Sequence, residues 1–286
     1  MGRPGEMKEA IRILDEWVHQ QPHFIEKDIP QPYLETTIVN SKGSVERAKR
    51  ILENMFTART QRPEYFEPRD VREFYDVIKG HINKVFTTQL TPQQHRININ
   101  RCRGRPDDHV LENAYKFAYN VMDYLKIHDY HSGMVSVFDL VDADLPYILT
   151  HTNFVALKNA MMIFLDCYGL RVKRIHVITR SKVIHQVVAI LKPFFSQKIV
   201  ERLVFHQAPE ELLQYYAAEY LPKEYGGSDK SVEELQEWIV DLLSSPQHRA
   251  HMEVMSRAAV DAVLCPATHA ANIDHVAGTF RTLHID

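Results

Sequence analysis

Leu170-Arg-Val-Lys-Arg-Ile-His-Val-Ile178, Ile184-His-Gln-Val-Val-Ala-Ile-Leu-Lys-Pro-Phe-Phe195, Lys198-Ile-Val-Glu-Arg202 and Leu221-Pro-Lys-Glu-Tyr-Gly-Gly227 follow one another in the second half of the chain. The first alternates as a strand does: Val172, Arg174, His176 and Ile178 on one side, Lys173, Ile175, Val177 and Thr179 on the other. The second has helical character and almost no polar face, with Ile184, Val187, Val188, Ala189, Ile190 and Leu191. A helix apolar all round is either a core helix or is covered part of the time by something apolar. The third leads into another strand at 201–206, and the fourth ends in a Gly-Gly stop. Strand, helix and strand in that order predict a parallel unit with a crossover connection.

Working outward, 133–141 is a nearly continuous apolar run, as in a buried strand, and 96–100 alternates polar with apolar. Between them, 107–128 reads as a long helix with Leu111, Ala114, Tyr115, Ala118, Val121, Met122 and Leu125 inward. Residues 146–168 read as helix, and another helix is expected from Pro209. Strands alternating with helices define an α/β sheet. The first third reads as helices instead. Residues 7–20 place Ile11, Leu14, Trp17 and Val18 on one face, and 44–59 do the same with Val45, Ala48, Ile51, Leu52 and Met55. Pro22, Pro30, Pro32, Pro63 and Pro68 punctuate the connections. Ser231-Val-Glu-Glu234 is a capping box opening a helix that Pro246 closes. The expected organisation is a helical domain at 1–80, an α/β domain at 81–245 and an extension at 246–286 packing on the body.

The 286 residues carry a net charge of −3, which gives no global attraction to nucleic acid. The charge is uneven. Eight Lys/Arg and one acid, Glu201, lie from Arg171 to Arg202, so this stretch carries +7 and the rest −10. A basic face on an acidic body suits docking on an anionic surface. Cys102, Cys167 and Cys265 are widely spaced and suggest neither a zinc site nor a disulfide framework. The polar N-terminus predicts no signal peptide, Glu6 argues against myristoylation at Gly2, and no apolar run suffices to span a bilayer. A soluble cytoplasmic protein is expected.

Catalytic signatures are missing. There is no Gly-x-Gly-x-x-Gly after a strand, no Walker loop and no Gly-x-Ser-x-Gly elbow. His19 and His23 are separated by Pro22, and His248 and His251 read as a solvent-facing pair without a third ligand. Asp139, Asp142 and Asp144 lack a phosphate loop and are read as structural, capping the next helix for example. Cys102-Arg-Gly-Arg105 reads as a solvated basic loop. No enzyme activity, metal or cofactor is expected.

Leu170–Ile178, Lys192-Pro-Phe-Phe195, Lys198–Arg202 and Leu221-Pro-Lys-Glu-Tyr-Gly-Gly227 together resemble the CRAL-TRIO lipid-binding domain family. Trp17, Gln21-Pro-His23, Arg59-Thr60, Arg62-Pro-Glu64, Arg69-Asp70 and Gly278-Thr-Phe-Arg-Thr-Leu283 resemble its arthropod α-tocopherol-transfer-protein-like branch. The resemblance implies a helical N-terminal domain, then an α/β domain whose hydrophobic ligand pocket is closed by a gate helix at 181–191. It implies a pocket lined by Phe117, Asn120, Met134, Phe138, Ile163, Phe164, Ile175, Ile184, Val187 and Leu191, and phosphoinositide or membrane docking through Arg171, Lys173, Lys198 and Arg202. The sequence departs from the family pattern in four places: Ile38-Val-Asn-Ser-Lys42 for a basic element, Asp139-Leu-Val-Asp-Ala143 for Asp-Leu-Glu-Gly, Thr179-Arg-Ser181 for Asn-x-Pro, and His206-Gln207 for His-Gly. The glutamate that holds inositol in yeast relatives has no counterpart near Gly169, which argues against phosphatidylinositol as cargo.

The expected function is cytosolic binding and intermembrane transfer of a small hydrophobic lipid (a tocopherol, retinoid or carotenoid). The protein would be transiently membrane-associated, with an anionic membrane surface as its partner. Burying about 400 Å² of apolar ligand surface supplies on the order of 10 kcal/mol before ordering costs. Four cation–headgroup contacts at about 1 kcal/mol each give reversible docking. The alternative is an interaction or regulatory module with a filled or vestigial pocket.

Overall fold

The computed structural model describes residues 4–264. The N-terminal region is helical: α1 (Pro4–Gln20), α2 (Gln31–Asn40), α3 (Val45–Gln61) and α4 (Val71–Ile78). α1 and α3 stand where apolar spacing puts them, and Ser44 starts α3 by accepting from the Arg47 N–H. The sequence reading missed α2 because its buried face is partly polar, with Thr36, Thr37 and Asn40 beside Tyr33, Leu34 and Ile38. The hydroxyls are satisfied internally: Thr36 Oγ1 donates to Lys126 O at 2.6 Å, and Thr37 Oγ1 to Tyr33 O at 2.7 Å.

The sheet follows as β1 (Ile82–Phe86), β2 (His95–Gly104), β3 (Gly133–Ala143), β4 (Val172–Ile178) and β5 (Leu203–His206), adjacent in that order. β1 is antiparallel to β2, and the remaining pairs are parallel. β1 was also missed; it is short and holds two polar residues, Asn83 and Lys84. Parallel strands laid down in sequence order, joined by right-handed crossovers, put every crossover on one face. These connections are α5 (Asp108–His128), then α6 (Leu145–His151) with α7 (Phe154–Met162), then α8 (Ile184–Leu191) with α9 (Gln197–Val200). Residues opposite one another form two rows across that face: Phe86, Asn98, Ser136, Ile175 and Leu203, and Lys84, Asn100, Phe138, Val177 and Phe205. Ile175, Val177 and Leu203 of these rows cluster with Ile184 of α8, which marks this as the crossover face.

The other face is covered by the chain after β5. His176 contacts the Tyr216 hydroxyl at 3.0 Å, and Tyr225 donates to Asp139 Oδ2 at 3.0 Å. Then come α10 (Val232–Leu243), opened by the Ser231/Glu234 capping box, and α11 (Pro246–Ser256). Residues beyond α11 return to the helical region, where Ile25 N donates to Ala259 O at 3.0 Å and Val260 enters the core of Leu14, Phe24, Leu34 and Phe56. Cys265 and the 278–283 stretch lie outside the described residues, as does Gly2.

Four local expectations need correction. Residues 146–168 are not one helix: Asn153 accepts from Val155 N and Ala156 N, so α7 starts afresh, and it runs into a π turn at Ile163–Cys167. After Pro209 the chain forms 3-10 turns, with Glu211 folding back to accept from Gln207 N and Ala208 N. The 102–105 stretch is largely the end of β2 rather than a loop, and Arg103 is anchored on Glu233 at 2.7 Å. His248 and His251 do not face solvent: both are buried on α11, with His248 against Tyr124. Asp144, by contrast, caps α6 through the Tyr147 N–H at 3.1 Å.

Candidate functional site

α8 sits on the surface. Of its residues only Ile184 is buried; Val187, Val188 and Leu191 are half-buried, and Ile190 is 39% exposed. Ile184 joins a small apolar cluster with Leu145 and Val177, and Ile175, Val187, Val188 and Leu203 border it. This cluster is separate from the main core of the sheet. The core-helix reading of 184–191 is therefore set aside. The helix is held at its ends by two further contacts. The His185 ring lies 5.7 Å from that of Phe205, and the Lys158 ammonium from α7 sits 5.0 Å from the Phe194 ring centroid.

The departures at Thr179-Arg-Ser181 acquire a physical account. Ser181 N donates to Thr179 Oγ1 at 3.1 Å, and Val183 N to Ser181 Oγ at 3.4 Å. Two hydroxyls thus form the turn into α8 that a proline otherwise fixes. Arg180 Nε reaches Gln207 O at 3.4 Å, linking this turn to the second departure at the end of β5.

Arg171, Lys173, Lys198 and Arg202 come together. Lys173 is pushed below the usual lysine range, first by burial and then by Arg171, Arg202, Lys42 and Lys198. Lys42 is a member that the sequence reading missed. It stands at a left-handed position, φ +59°, at the end of α2, and its distance in sequence hid it. Gly133 makes room for the cluster: a Cβ there would lie 2.3 Å from Lys173 Cε and 2.8 Å from Arg171 O. Among the described residues, none of these five cations has a carboxylate within ion-pair distance.

The expected lining residues divide. Ile175, Ile184 and Val187 share the cluster beneath α8. Phe117, Met134, Ile163 and Phe164 belong to the main core or pack against it. Phe164 lies 4.9 Å from the Tyr119 ring, which itself packs on Phe66, so it faces the helical region. Phe138 lies in the sheet row beside Val177, and Asn120 is buried on α5. Leu191 is half-buried at the end of α8. A separate cavity of about 130 Å³ lies between Tyr65, Asp108, Tyr115 and Asn153, and none of the expected lining residues borders it. Among the described residues, no three His, Cys, Asp or Glu side chains are grouped to hold a metal. None of the single helices there is long and apolar enough to cross a membrane.

The closing turn explains the Leu221–Gly227 motif. Tyr225 is fully buried against Asp139, Glu224 accepts from Val232 N at 3.0 Å, and Gly226 adopts φ +75°. The turn places 221–227 on the face opposite α8. Comparison with known proteins agrees with this assembly: the family model for the CRAL/TRIO domain matches residues 81–227. The chain belongs to the CRAL/TRIO domain family. A second model, described as a Pinta-like UBA domain, matches residues 3–74. The alpha-tocopherol transfer protein-like protein of Mus musculus is 22% identical over 83% of this chain and 69% of its own length. That of Homo sapiens is 23% identical over 82% of this chain and 69% of its own. The solved structure of Sfh5 superposes with a TM-score of 0.53 at 13% identity, over 85% of this chain and 98% of that one, a likeness of fold alone. CRAL/TRIO proteins bind lipids, and catalysis is not their shared activity.

Proposed function

We propose that the protein is a cytoplasmic carrier that takes a small hydrophobic lipid, of tocopherol, retinoid or carotenoid type, between membranes. In this reading it belongs to the arthropod branch of the tocopherol-transfer-like proteins, with a helical domain at 1–80, a lipid domain at 81–245 and an extension from 246. α8 is the gate. The cargo lies between α8 and the sheet row of Phe138 and Val177, and Ile175, Ile184, Val187 and Leu191 line its apolar end. Arg171, Lys173, Lys198, Arg202 and Lys42 dock the protein on an anionic or phosphoinositide-containing membrane.

The observation that carries this reading is the position of α8. An apolar helix with one buried residue lies in a chain segment whose flanking cations have no carboxylate partners among the described residues. Such a helix leaves the body at small apolar cost, because little of it is buried there. On an anionic bilayer its exposed Ile190 finds an apolar phase while the cations meet headgroups. The deciding experiment is solvent extraction of protein purified from its native source, with mass spectrometry of the extract. A single stoichiometric lipid supports the carrier. No lipid, with no binding of any lipid offered, identifies a module with a filled pocket instead.

A further inference from the structure

The crossover face of the sheet changes character from one side to the other. Beneath α8 it is apolar, with Phe138, Ile175, Val177 and Leu203. Toward β1 the same rows continue into Asn98, Asn100 and Lys84. Lys84 Nζ donates to Asn100 Oδ1 at 2.9 Å, and Asn100 Nδ2 points to Val137 O at 3.4 Å. An ammonium carries three donors, and Asn100 takes one of them.

What the lysine lacks is a counter-charge. Among the described residues no carboxylate lies within ion-pair distance of it, and the one ionisable neighbour bearing on it is Cys102. Burial pushes that thiol up to about 11, so it is neutral at physiological pH and offers the amine no anion. Lys84 is half-buried, and even partial burial of a cation without a partner is costly. Burial accordingly pulls Lys84 down to about 8. The main chain of Lys84 is meanwhile fixed by Gln236 of α10, which accepts its N–H at 2.8 Å, so β1 holds the side chain to this face.

We propose that Lys84 and Asn100 are the headgroup end of the lipid site and that the cargo is a lipid with a carboxylate head, a long-chain or isoprenoid acid. The inference rests on the carrier reading above. Four strand spacings of about 4.8 Å separate Lys84 from Phe205, roughly 19 Å, which suits an extended lipid tail running from the lysine to α8. The carboxylate supplies the missing charge and takes the spare donors of Nζ; the tail meets the apolar half of the rows. An alcohol or ester with the same tail gains the apolar contacts without the charge pairing.

The test compares palmitate with hexadecanol, and retinoic acid with retinol, by equilibrium binding to wild type and Lys84→Met. Methionine keeps most of the lysine stem and removes the charge. Wild type is expected to prefer each acid by about tenfold or more, as a hydrogen bond to a charged group implies. Lys84→Met weakens the acids by that factor and leaves the alcohols within about twofold. Equal binding of acid and alcohol by wild type, or an acid preference that survives in Lys84→Met, overturns the proposal while leaving the carrier reading intact. Binding of none of the four by wild type overturns the proposal, and the extracted lipid then decides the carrier reading separately. A second measurement needs no variant: in protein carrying 13C-lysine, palmitate is expected to raise the titration midpoint of the Lys84 ε-carbon and hexadecanol to leave it in place. An unmoved midpoint with palmitate bound counts against the lysine as its ligand.

Discussion

Arg59 Nη2 lies 2.9 Å from Asp123 Oδ1, and the two side chains are 1% and 0% exposed. The pair joins α3 of the helical region to α5 of the sheet. Tyr168 donates to the second carboxylate oxygen at 2.7 Å, and Arg59 also donates to Met255 O at the end of α11. Four segments distant in sequence thus meet at one ion pair. A buried pair adds little net stability when complete but is costly to break, because the survivor is left charged and unpaired. Asp123→Asn is expected to lower unfolding free energy by about 3–5 kcal/mol, read from urea denaturation followed by tryptophan fluorescence. A loss below about 1 kcal/mol would mean that the arginine finds another partner.

A second buried network sets a pH dependence. His176 Nδ1 lies 2.7 Å from His206 Nε2, and His206 Nδ1 is 3.3 Å from Glu211. Burial, then His206, then Arg174 hold His176 down to about 3, against 6.5 for a free histidine. His248 is held down to about 4, again chiefly by burial. The folded state refuses protons that the unfolded chain accepts. The stability from these groups is therefore complete above about pH 6.5 and is lost as pH falls toward the folded values. Each histidine contributes a slope of up to about 1.4 kcal/mol per pH unit in that window. Denaturation at pH 7.5 and 5 is expected to show the loss, and His176→Gln to show less of it.

The sequence made the parallel strands and their helices legible because their apolar patterns are long and regular. It hid α2 and β1, where polar residues break the pattern: buried Thr36 and Thr37 bond to backbone, and half-buried Lys84 bonds to Asn100. The cationic patch was legible from Arg171 to Arg202 because those residues are close in sequence. Lys42 was not, since only the packing of the helical region against the sheet brings it near Lys173. For the polar end of the sheet a signal did exist. The alternation in Arg96-Ile-Asn-Ile-Asn100 puts Asn98 and Asn100 on one side, but which side faces the crossovers depends on strand order.

The two closing glycines differ in kind. A Cβ at Gly227 would lie 1.7 Å from the Leu221 carbonyl oxygen, a backbone atom that cannot yield. Gly227→Ala is expected to cost about 3 kcal/mol or more, at the severe end for a single substitution. Gly226 has φ +75° and would meet only the flexible Leu213 side chain. Gly226→Asn, with a residue that tolerates the left-handed region, is expected to cost about 1 kcal/mol. Thermal melts of the two variants distinguish these outcomes; equal losses would contradict the steric account.

Docking is testable at Lys42. Asparagine suits its left-handed backbone, so Lys42→Asn removes a charge without backbone strain. One cation contributes about 1 kcal/mol at an anionic surface, so affinity for phosphatidylserine vesicles should fall about fivefold. Charge reversal at both Lys198 and Arg202 should act more strongly and slow transfer to phosphoinositide vesicles, leaving cargo affinity in solution unchanged. Transfer rates equal to wild type would remove the patch from the mechanism.

The gate is tested at Val187. This residue is half-buried beside the small cluster of Leu145, Val177 and Ile184, apart from the main core. An indole there occupies space between α8 and the sheet that the carrier reading gives to cargo. Overpacking a well-filled core costs about 1–3 kcal/mol, but α8 has a free outer face and moves outward with the larger side chain. Val187→Trp is therefore expected to retain the wild-type circular dichroism spectrum and a cooperative melt, while its cargo affinity falls by at least about tenfold. Full retention of cargo would mean that lipid does not lie beneath α8. Loss of both cargo and cooperativity would mean that α8 is part of the folding core rather than a gate. Val187→Ala separates these readings, because it empties space: under the carrier reading it leaves cargo bound and speeds its release to acceptor vesicles.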